Sequence, residues 1–322
     1  MKAIAQTGYG SPDAFEFREI DKPAIKKADE VLVRVHAAAL HAGDVFMMRG
    51  VPYFTRMVVG FPKPRNYIPG YDVAGRVEAV GKGVTRFKVG DEVYGSIGRA
   101  CAELARAPED QLEKKPANLS MEQAAAVPTS AIAALHGIRD AGKMKSGMKV
   151  MINGASGGVG TFAVQIAKAY GAEVTGVCST RHIDTVRSIG ADHVIDYTKE
   201  DFTQGTDRYD VILDNVANYP LSACRRVLTP MGKHIPNSGH SGMGYILKAL
   251  LVSMFVRQQG RTYVATPKPG DLVELKELIE TGKITPVIDS TYPLADFSEA
   301  MGHLNEGHAS GKVVITVEPR IS

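Results

Sequence analysis

The residues with the clearest chemical meaning lie between Lys149 and Ala172, in KVMINGASGGVGTFAVQIAKAYGA. A short apolar strand runs into a glycine-rich turn and directly on into a helix. Gly157 lets the backbone approach a pyrophosphate, and Gly160 lets helix and strand pack tightly. The helix start offers N–H groups and partial positive charge to phosphate oxygens. Ser156, Gly157, Gly158 and Val159 therefore read as a dinucleotide cradle, with Ala155 where the usual pattern has its first glycine. A lone G-x-G-x-x-G would carry little; the strand before it and the helix after it make it specific.

The next strand decides which dinucleotide is held. A site for NAD ends that strand with Asp or Glu, which binds the ribose hydroxyls. Here it ends in Cys178-Ser179-Thr180-Arg181, with no carboxylate. Two hydroxyls and a guanidinium suit a 2′-phosphate through charge-assisted hydrogen bonds. NADPH is expected over NADH, the alternative being that Arg181 is a surface arginine.

The elements around these residues alternate. Strands are expected at Val150–Asn153, Glu173–Cys178, His193–Asp196 and Val211–Asp214, and helices at Val159–Tyr170 and Ile183–Ile189. That alternation predicts a parallel sheet covered by helices. Before it the chain reads as β, in Val31–Ala37, Val73–Val80 and the strand-loop-strand of Gly81 to Gly95. Near Met121 it turns Ala-rich and helical, with Ser120 and Gln123 spaced as a capping box. After the helical DLVELKELIETGKI come β-like segments ending in KVVITV, Lys312 to Val317. The simplest arrangement is a β-rich domain, residues 1–121 and 267–322, interrupted by a nucleotide-binding domain, residues 122–266.

Composition narrows the class. With 322 residues, 44% hydrophobic and 23% charged, the chain can build two packed cores. A net charge of +3 from scattered Lys and Arg gives no footprint for nucleic acid. The apolar stretch Tyr245–Val256, broken by Lys248, is too short for a membrane span and reads as an amphipathic helix. Three separated cysteines, 101, 178 and 224, and a start without signal-peptide layout suit a reducing, cytoplasmic setting.

The chain resembles the medium-chain dehydrogenase/reductase superfamily, nearest its zinc-free quinone oxidoreductase, or zeta-crystallin-like, branch. The resemblance rests on LHAGDVFMMRG (Leu40 to Gly50), PGYDVAGRVEAVGKGVTRFKVGDEVYG (Pro69 to Gly95), AAAVPTSAIAAL (Ala124 to Leu135), GASGGVG with Gln165 and Lys168, and the closing SGKVVI. It implies an α/β fold: a GroES-like β-rich catalytic domain plus a Rossmann doubly wound parallel sheet. It also implies that Tyr197 lies near the adenosine 2′-phosphate and Thr129 near the nicotinamide. Asn215, Val216 and the segment from Pro236 through Ser238 to Gly239 would follow strands on the cofactor face. Relatives are often homodimers.

Alcohol dehydrogenases of the superfamily hold zinc with Cys and His ligands. The matching positions here are His41, Tyr71 and Thr129, with Asp72 alongside, a poor donor set, so no metal is expected. A zinc-free site can still reduce an electrophilic acceptor, and the implied activity is hydride transfer from NADPH to a small hydrophobic α,β-unsaturated carbonyl or a quinone. His41, Tyr53 and Tyr71 are the candidate catalytic residues, with Phe46 packing beside them. His41 could donate to the substrate carbonyl, or simply bond to Asp44 or Asp72; solvent could deliver the final proton. The competing readings are a zinc alcohol dehydrogenase and a non-catalytic NADPH-binding protein.

Overall fold

A computed structural model describes residues 1–53, 55–65, 67–237, 259–260, 263 and 265–317. The expected amphipathic helix at Tyr245–Val256 lies outside them. The chain forms two compact units, residues 1–130, 267–280 and 286–322, and residues 131–266 with 281–285.

The first unit is built on a seven-stranded sheet. Strand Glu30–Leu40 lies at its heart, paired antiparallel with Asp72–Val80, Leu104–Pro108 and the C-terminal Lys312–Thr316. Val-rich segments sit here because every second side chain enters one core, where Val31, Val33, Val35, Val73, Val313 and Ile315 are fully buried. Phe15 meets Phe297 edge-on with ring centroids 4.8 Å apart. The helix Met121–Ala125 begins with the expected reciprocal box between Ser120 and Gln123. It packs on Glu30–Leu40, Asp72–Val80 and Lys312–Thr316, so it belongs to this unit and the division falls after Ser130.

The second unit carries a six-stranded parallel sheet. Its strands are Lys149–Asn153, Glu173–Cys178, His193–Asp196, Tyr209–Asp214, Leu228–Pro236 and Gln259–Gly260. Numbered from the first of these, their spatial order is 3-2-1-4-5-6, that of dinucleotide-binding sheets. The expected strands and helices are present, with ends moved by one or two residues. Gln165 on the helix Gly158–Ala169 grips Thr285 from both sides, its Nε2 donating to Thr285 O (3.0 Å) and its Oε1 accepting from Thr285 N (2.8 Å). That grip ties residues 281–285 to the second unit.

Candidate functional site

The sheet order reverses between Lys149–Asn153 and Tyr209–Asp214, and ligands of such sheets bind beyond the carboxyl ends of the strands at that point. Two loops meet there. Gly154 in the first has φ 76°, and a Cβ on it would lie 2.8 Å from Val216 Cγ2 in the second. A Cβ on Gly160 would collide with the Gly154 carbonyl oxygen, so the helix touches the loop only because this residue has no side chain. Gly157 is the helix N-cap, with no side-chain cap and no acidic residue in the first turn. A phosphate there would compete with no protein anion. Ala155 is accommodated by a second glycine: a Cβ on Gly176 would come within 3.0 Å of the Ala155 Cβ. The missing first glycine is thus compensated on the neighbouring strand.

At the end of Glu173–Cys178, Ser179 is half-buried while Thr180 and Arg181 are exposed. Tyr197 joins this edge through its N–H, which donates to Cys178 O (3.1 Å). No ion pair holds the Arg181 guanidinium among the described residues. Thr180 needs a correction, because its hydroxyl donates to Asp196 Oδ2 (2.5 Å) and its proton is not free for a phosphate. Asp196 is a buried carboxylate that the sequence reading did not bring to this edge. Its other oxygen accepts from Thr198 N (3.0 Å) and Thr198 Oγ1 (2.7 Å), and Lys199 Nζ stands 3.5 Å away. The Thr180 bond, with those from Thr198 and Lys199, holds its carboxyl at about 2. Asp196 therefore fastens two loops together rather than reaching for ribose hydroxyls. Ser179, Arg181 and Tyr197 remain as the candidate donors at this edge.

On the second loop, Asp214 Oδ1 accepts from Asn153 Nδ2 (2.8 Å), Ala217 N (2.8 Å) and Val216 N (3.3 Å). These bonds hold Ala217 in the left-handed region, φ 57°. Oδ2 lies 3.2 Å from His234 Nε2. Burial pushes the Asp214 carboxyl up, but the bonds from His234, Ala217 and Asn153 outweigh it and leave it below its ordinary value. Asp214, Cys224 and His234 form a fully buried trio of metal-capable groups within 4.8 Å of one another. The carboxylate oxygens are already committed and burial pushes the Cys224 thiol up to about 12, so the trio reads as packing between two interior strands and the helix Leu221–Arg226. Asn215 Oδ1 accepts from Asn237 Nδ2 (2.8 Å), whereas Asn215 Nδ2 is buried with no partner among the described residues. A buried amide donor left over beside a dinucleotide turn fits a bound nucleotide, since such a group otherwise bears an uncompensated desolvation cost. Val216 is partly exposed; Ser238 lies outside the described residues.

In the first unit, His41 caps the helix Ala42–Arg49. Its Nδ1 accepts from Gly43 N (2.9 Å), while its own N–H donates to Asp44 Oδ2 (3.0 Å). Its ring does not hydrogen-bond to Asp44, being 3.7 Å from that carboxylate. With Nδ1 accepting, the neutral imidazole carries its proton on Nε2 and presents a donor. The Tyr71 ring lies 5.5 Å from the His41 ring, centroid to centroid. Tyr67, which the sequence reading missed, donates its hydroxyl to Tyr71 Oη at 3.2 Å. The Tyr71 proton is therefore free to go elsewhere. Burial, reinforced by that bond, pushes the Tyr67 phenol well above the ordinary tyrosine value. Tyr53 is not drawn into this group; it is exposed, with Arg56 over its ring at 4.9 Å.

A second polar group centres on the buried pair Asp72 and Lys312. Asp72 Oδ1 accepts from Thr129 N (2.9 Å) and Thr129 Oγ1 (2.5 Å), and Oδ2 accepts from Lys312 Nζ (3.2 Å). Lys312 also donates to Ser130 Oγ (3.1 Å), and Ser96 Oγ lies 3.1 Å from Thr129 Oγ1. Of the three positions that hold zinc in alcohol dehydrogenases, His41 has Nδ1 engaged by backbone and Thr129 has its proton on Asp72. Asp72 already has a cation.

Residues 27–179 match the alcohol dehydrogenase GroES-like domain family, and residues 189–315 the zinc-binding dehydrogenase family. A 2-methylene-furan-3-one reductase of Solanum lycopersicum is 34% identical over 98% of this chain and 79% of its own length. An Arabidopsis thaliana protein named NADPH-dependent alkenal/one oxidoreductase, chloroplastic, is 33% identical over 98% of this chain and 79% of its own. Among solved structures, the quinone oxidoreductase from Coxiella burnetii superposes with a TM-score of 0.87 at 27% identity, covering 99% of both chains. The chain belongs to the medium-chain dehydrogenase/reductase superfamily, in its zinc-free, quinone oxidoreductase-like branch.

Proposed function

We propose that this chain is an NADPH-dependent oxidoreductase that reduces α,β-unsaturated carbonyls or quinones by hydride transfer without a metal. The observation that carries the reading is the uncapped, acid-free helix start at Gly157, placed at the switch point of a 3-2-1-4-5-6 sheet. Relatives named as alkenal/one and furanone reductases support the acceptor class.

Bound NADPH supplies the hydride. The backbone N–H groups after Gly157 would hold the pyrophosphate, Ser179, Arg181 and Tyr197 the 2′-phosphate, and Asn215 Nδ2 a further acceptor on the nucleotide. His41 Nε2–H and the Tyr71 hydroxyl donate to the acceptor's carbonyl oxygen, stabilising the negative charge that grows there. For an enone, the electron pair of the C=C bond moves toward oxygen as the β-carbon gains hydride, and the α-carbon then takes a proton from solvent or from this pair. For a quinone, the same transfer followed by protonation on oxygen gives a hydroxydienone, which becomes the hydroquinone when the ring carbon loses its proton and the second oxygen gains one. Tyr67 keeps the Tyr71 proton directed outward.

The test is NADPH consumption with a panel of alkenals, enones and quinones, run beside ethanol and benzyl alcohol oxidation and elemental analysis. Turnover of the panel supports the proposal. Metal-dependent alcohol oxidation, or cofactor binding without turnover, replaces it with one of the competing readings. A weaker Michaelis constant for NADPH than for NADH would remove the 2′-phosphate assignment.

No helix among the described residues is long and apolar enough to cross a membrane. A reducing compartment suits the three free, buried thiols, Cys101, Cys178 and Cys224, and the cytoplasm is proposed as that compartment. A homodimer is proposed on the resemblance, with light scattering as its check.

A further inference from the structure

We propose that Met57, Val58, Phe61, Lys63 and Arg65 form a peripheral docking surface for an anionic lipid membrane, which binds the bilayer without crossing it. The inference goes beyond the reductase reading and does not depend on it.

Eleven large apolar side chains are exposed among the described residues, and five of them, Val51, Tyr53, Met57, Val58 and Phe61, fall within one stretch of eleven residues. The other six stand singly along the chain. Single exposed apolar residues are ordinary on a protein surface, whereas a cluster of them marks an interaction site. Met57 is 86% exposed, Phe61 70% and Val58 60%. Side chains so open stand out from the surface rather than line a pocket.

The segment is held together from within. Thr55 and Val59, one helical turn apart, are the buried residues of the short helix Thr55–Val59, which leaves Met57 and Val58 on its outer side. Arg56 Nε donates to Gly50 O (3.1 Å), and its guanidinium lies over the rings of Tyr9 (4.6 Å) and Tyr53 (4.9 Å). Tyr9 Oη donates to Gly60 O, and Arg65 N to Val59 O (3.1 Å). These contacts keep apolar side chains in water, where they gain free energy by finding an apolar cover.

Charge selects the cover. From Val45 to Tyr71 the sequence has four cations, Arg49, Arg56, Lys63 and Arg65, and no Asp or Glu. Arg49 and Arg56 are engaged within the chain. Lys63 and Arg65 are exposed and make no ion pair among the described residues. Apolar side chains beside unpaired cations suit an anionic bilayer, whose acyl chains take the first and whose headgroups take the second. A fluid matrix also surrounds a protruding side chain without needing a pocket shaped for it. A second copy is a poorer cover, because a symmetric contact would set Lys63 and Arg65 against the same cations.

The experiment is co-sedimentation of the whole chain with vesicles of phosphatidylcholine and phosphatidylserine mixed about two to one, and with phosphatidylcholine alone. The chain should bind the mixed vesicles, and less as salt rises. Lys63→Gln with Arg65→Gln should weaken that binding about twentyfold, at roughly fivefold per cation. Met57→Ser with Phe61→Ser should weaken binding to both kinds of vesicle by about tenfold or more, through lost apolar burial. Met231→Ser, at an exposed apolar residue of the second unit, should change neither. The substituted side chains are all exposed, so melting temperatures should hold. No binding of the mixed vesicles by the wild-type chain overturns the proposal. So does binding that both patch variants retain, which places the contact elsewhere. A dimer in light scattering that Met57→Ser with Phe61→Ser splits assigns the patch to a second copy and overturns it as well. NADPH turnover is measured separately, so a failure to bind vesicles leaves the reductase reading standing.

Discussion

At the scale of single residues, the donor atom of His41 depends on a neighbour without a side chain. A Cβ at Gly43 would come within 2.5 Å of the imidazole. Gly43→Ala should displace the ring and remove its cap bond, so its kcat should fall with that of His41→Ala, roughly tenfold for one lost hydrogen bond to the reacting oxygen. Binding of NADPH, measured by titration, should be unaffected in both. Tyr67→Phe leaves Tyr71 without its inbound bond and should lower kcat a few-fold, within the roughly threefold to tenfold range of a neutral hydrogen bond. The glycine turn was legible as a local motif, whereas His41, Tyr71 and Thr129 were singled out through the family resemblance and stand as proposals. What escaped depends on contacts that no local pattern encodes. Tyr67 stands only four residues before Tyr71, but outside any helix whose spacing would mark the two as neighbours, and Lys312 matters only because it meets Asp72 across 240 positions. Asp196 escaped for the same reason, since the strand that carries it pairs beside Cys178.

At the scale of elements, the second unit is fitted together by absent or strained side chains at its loops. Gly160→Ala drives a methyl into the Gly154 carbonyl and should abolish NADPH binding or folding, read by circular dichroism and titration. Ala217 sits at φ 57°, where an L-residue costs about 1–2 kcal/mol. Ala217→Gly should raise the melting temperature despite glycine's greater chain entropy, by an amount worth about 0.5–1 kcal/mol. The tie between the loops after Cys178 and Asp196 has a defined pH window. Asp196 titrates at about 2 in the folded chain, below its unfolded value, so its stabilisation is complete above the ordinary carboxylate range and is lost as pH falls toward about 2. Asp196→Asn should flatten that part of an acid-unfolding curve. The strands here were readable from apolar runs and the helices from their spacing, because one face of each is buried. The pairing of Ala155 with Gly176 was not readable, since it is a contact across two strands.

At the scale of the whole molecule, the first unit is assembled from segments far apart in the chain, and strands Ile288–Pro293 and Lys312–Thr316 complete a sheet begun near residue 30. The closing SGKVVI marked this return, but the location of the unit boundary was less visible. The helix Met121–Ala125 looks from its composition like the start of the nucleotide-binding portion, yet it packs on strands of the β-rich unit. A chain ending at Gly311 lacks strand Lys312–Thr316 and leaves Asp72 buried without its cation. Losing one partner of such a pair costs about 3–5 kcal/mol, so limited proteolysis should find the first unit degraded in this truncation while NADPH still protects the second.

That late-arriving strand has a consequence for biosynthesis. On the ribosome, Asp72 is made 240 positions before Lys312, so while that stretch is synthesised the carboxylate has no ammonium to neutralise it. The nucleotide-binding segment, complete by Thr285, can fold as it emerges, whereas the β-rich unit must wait for the strand Lys312–Thr316.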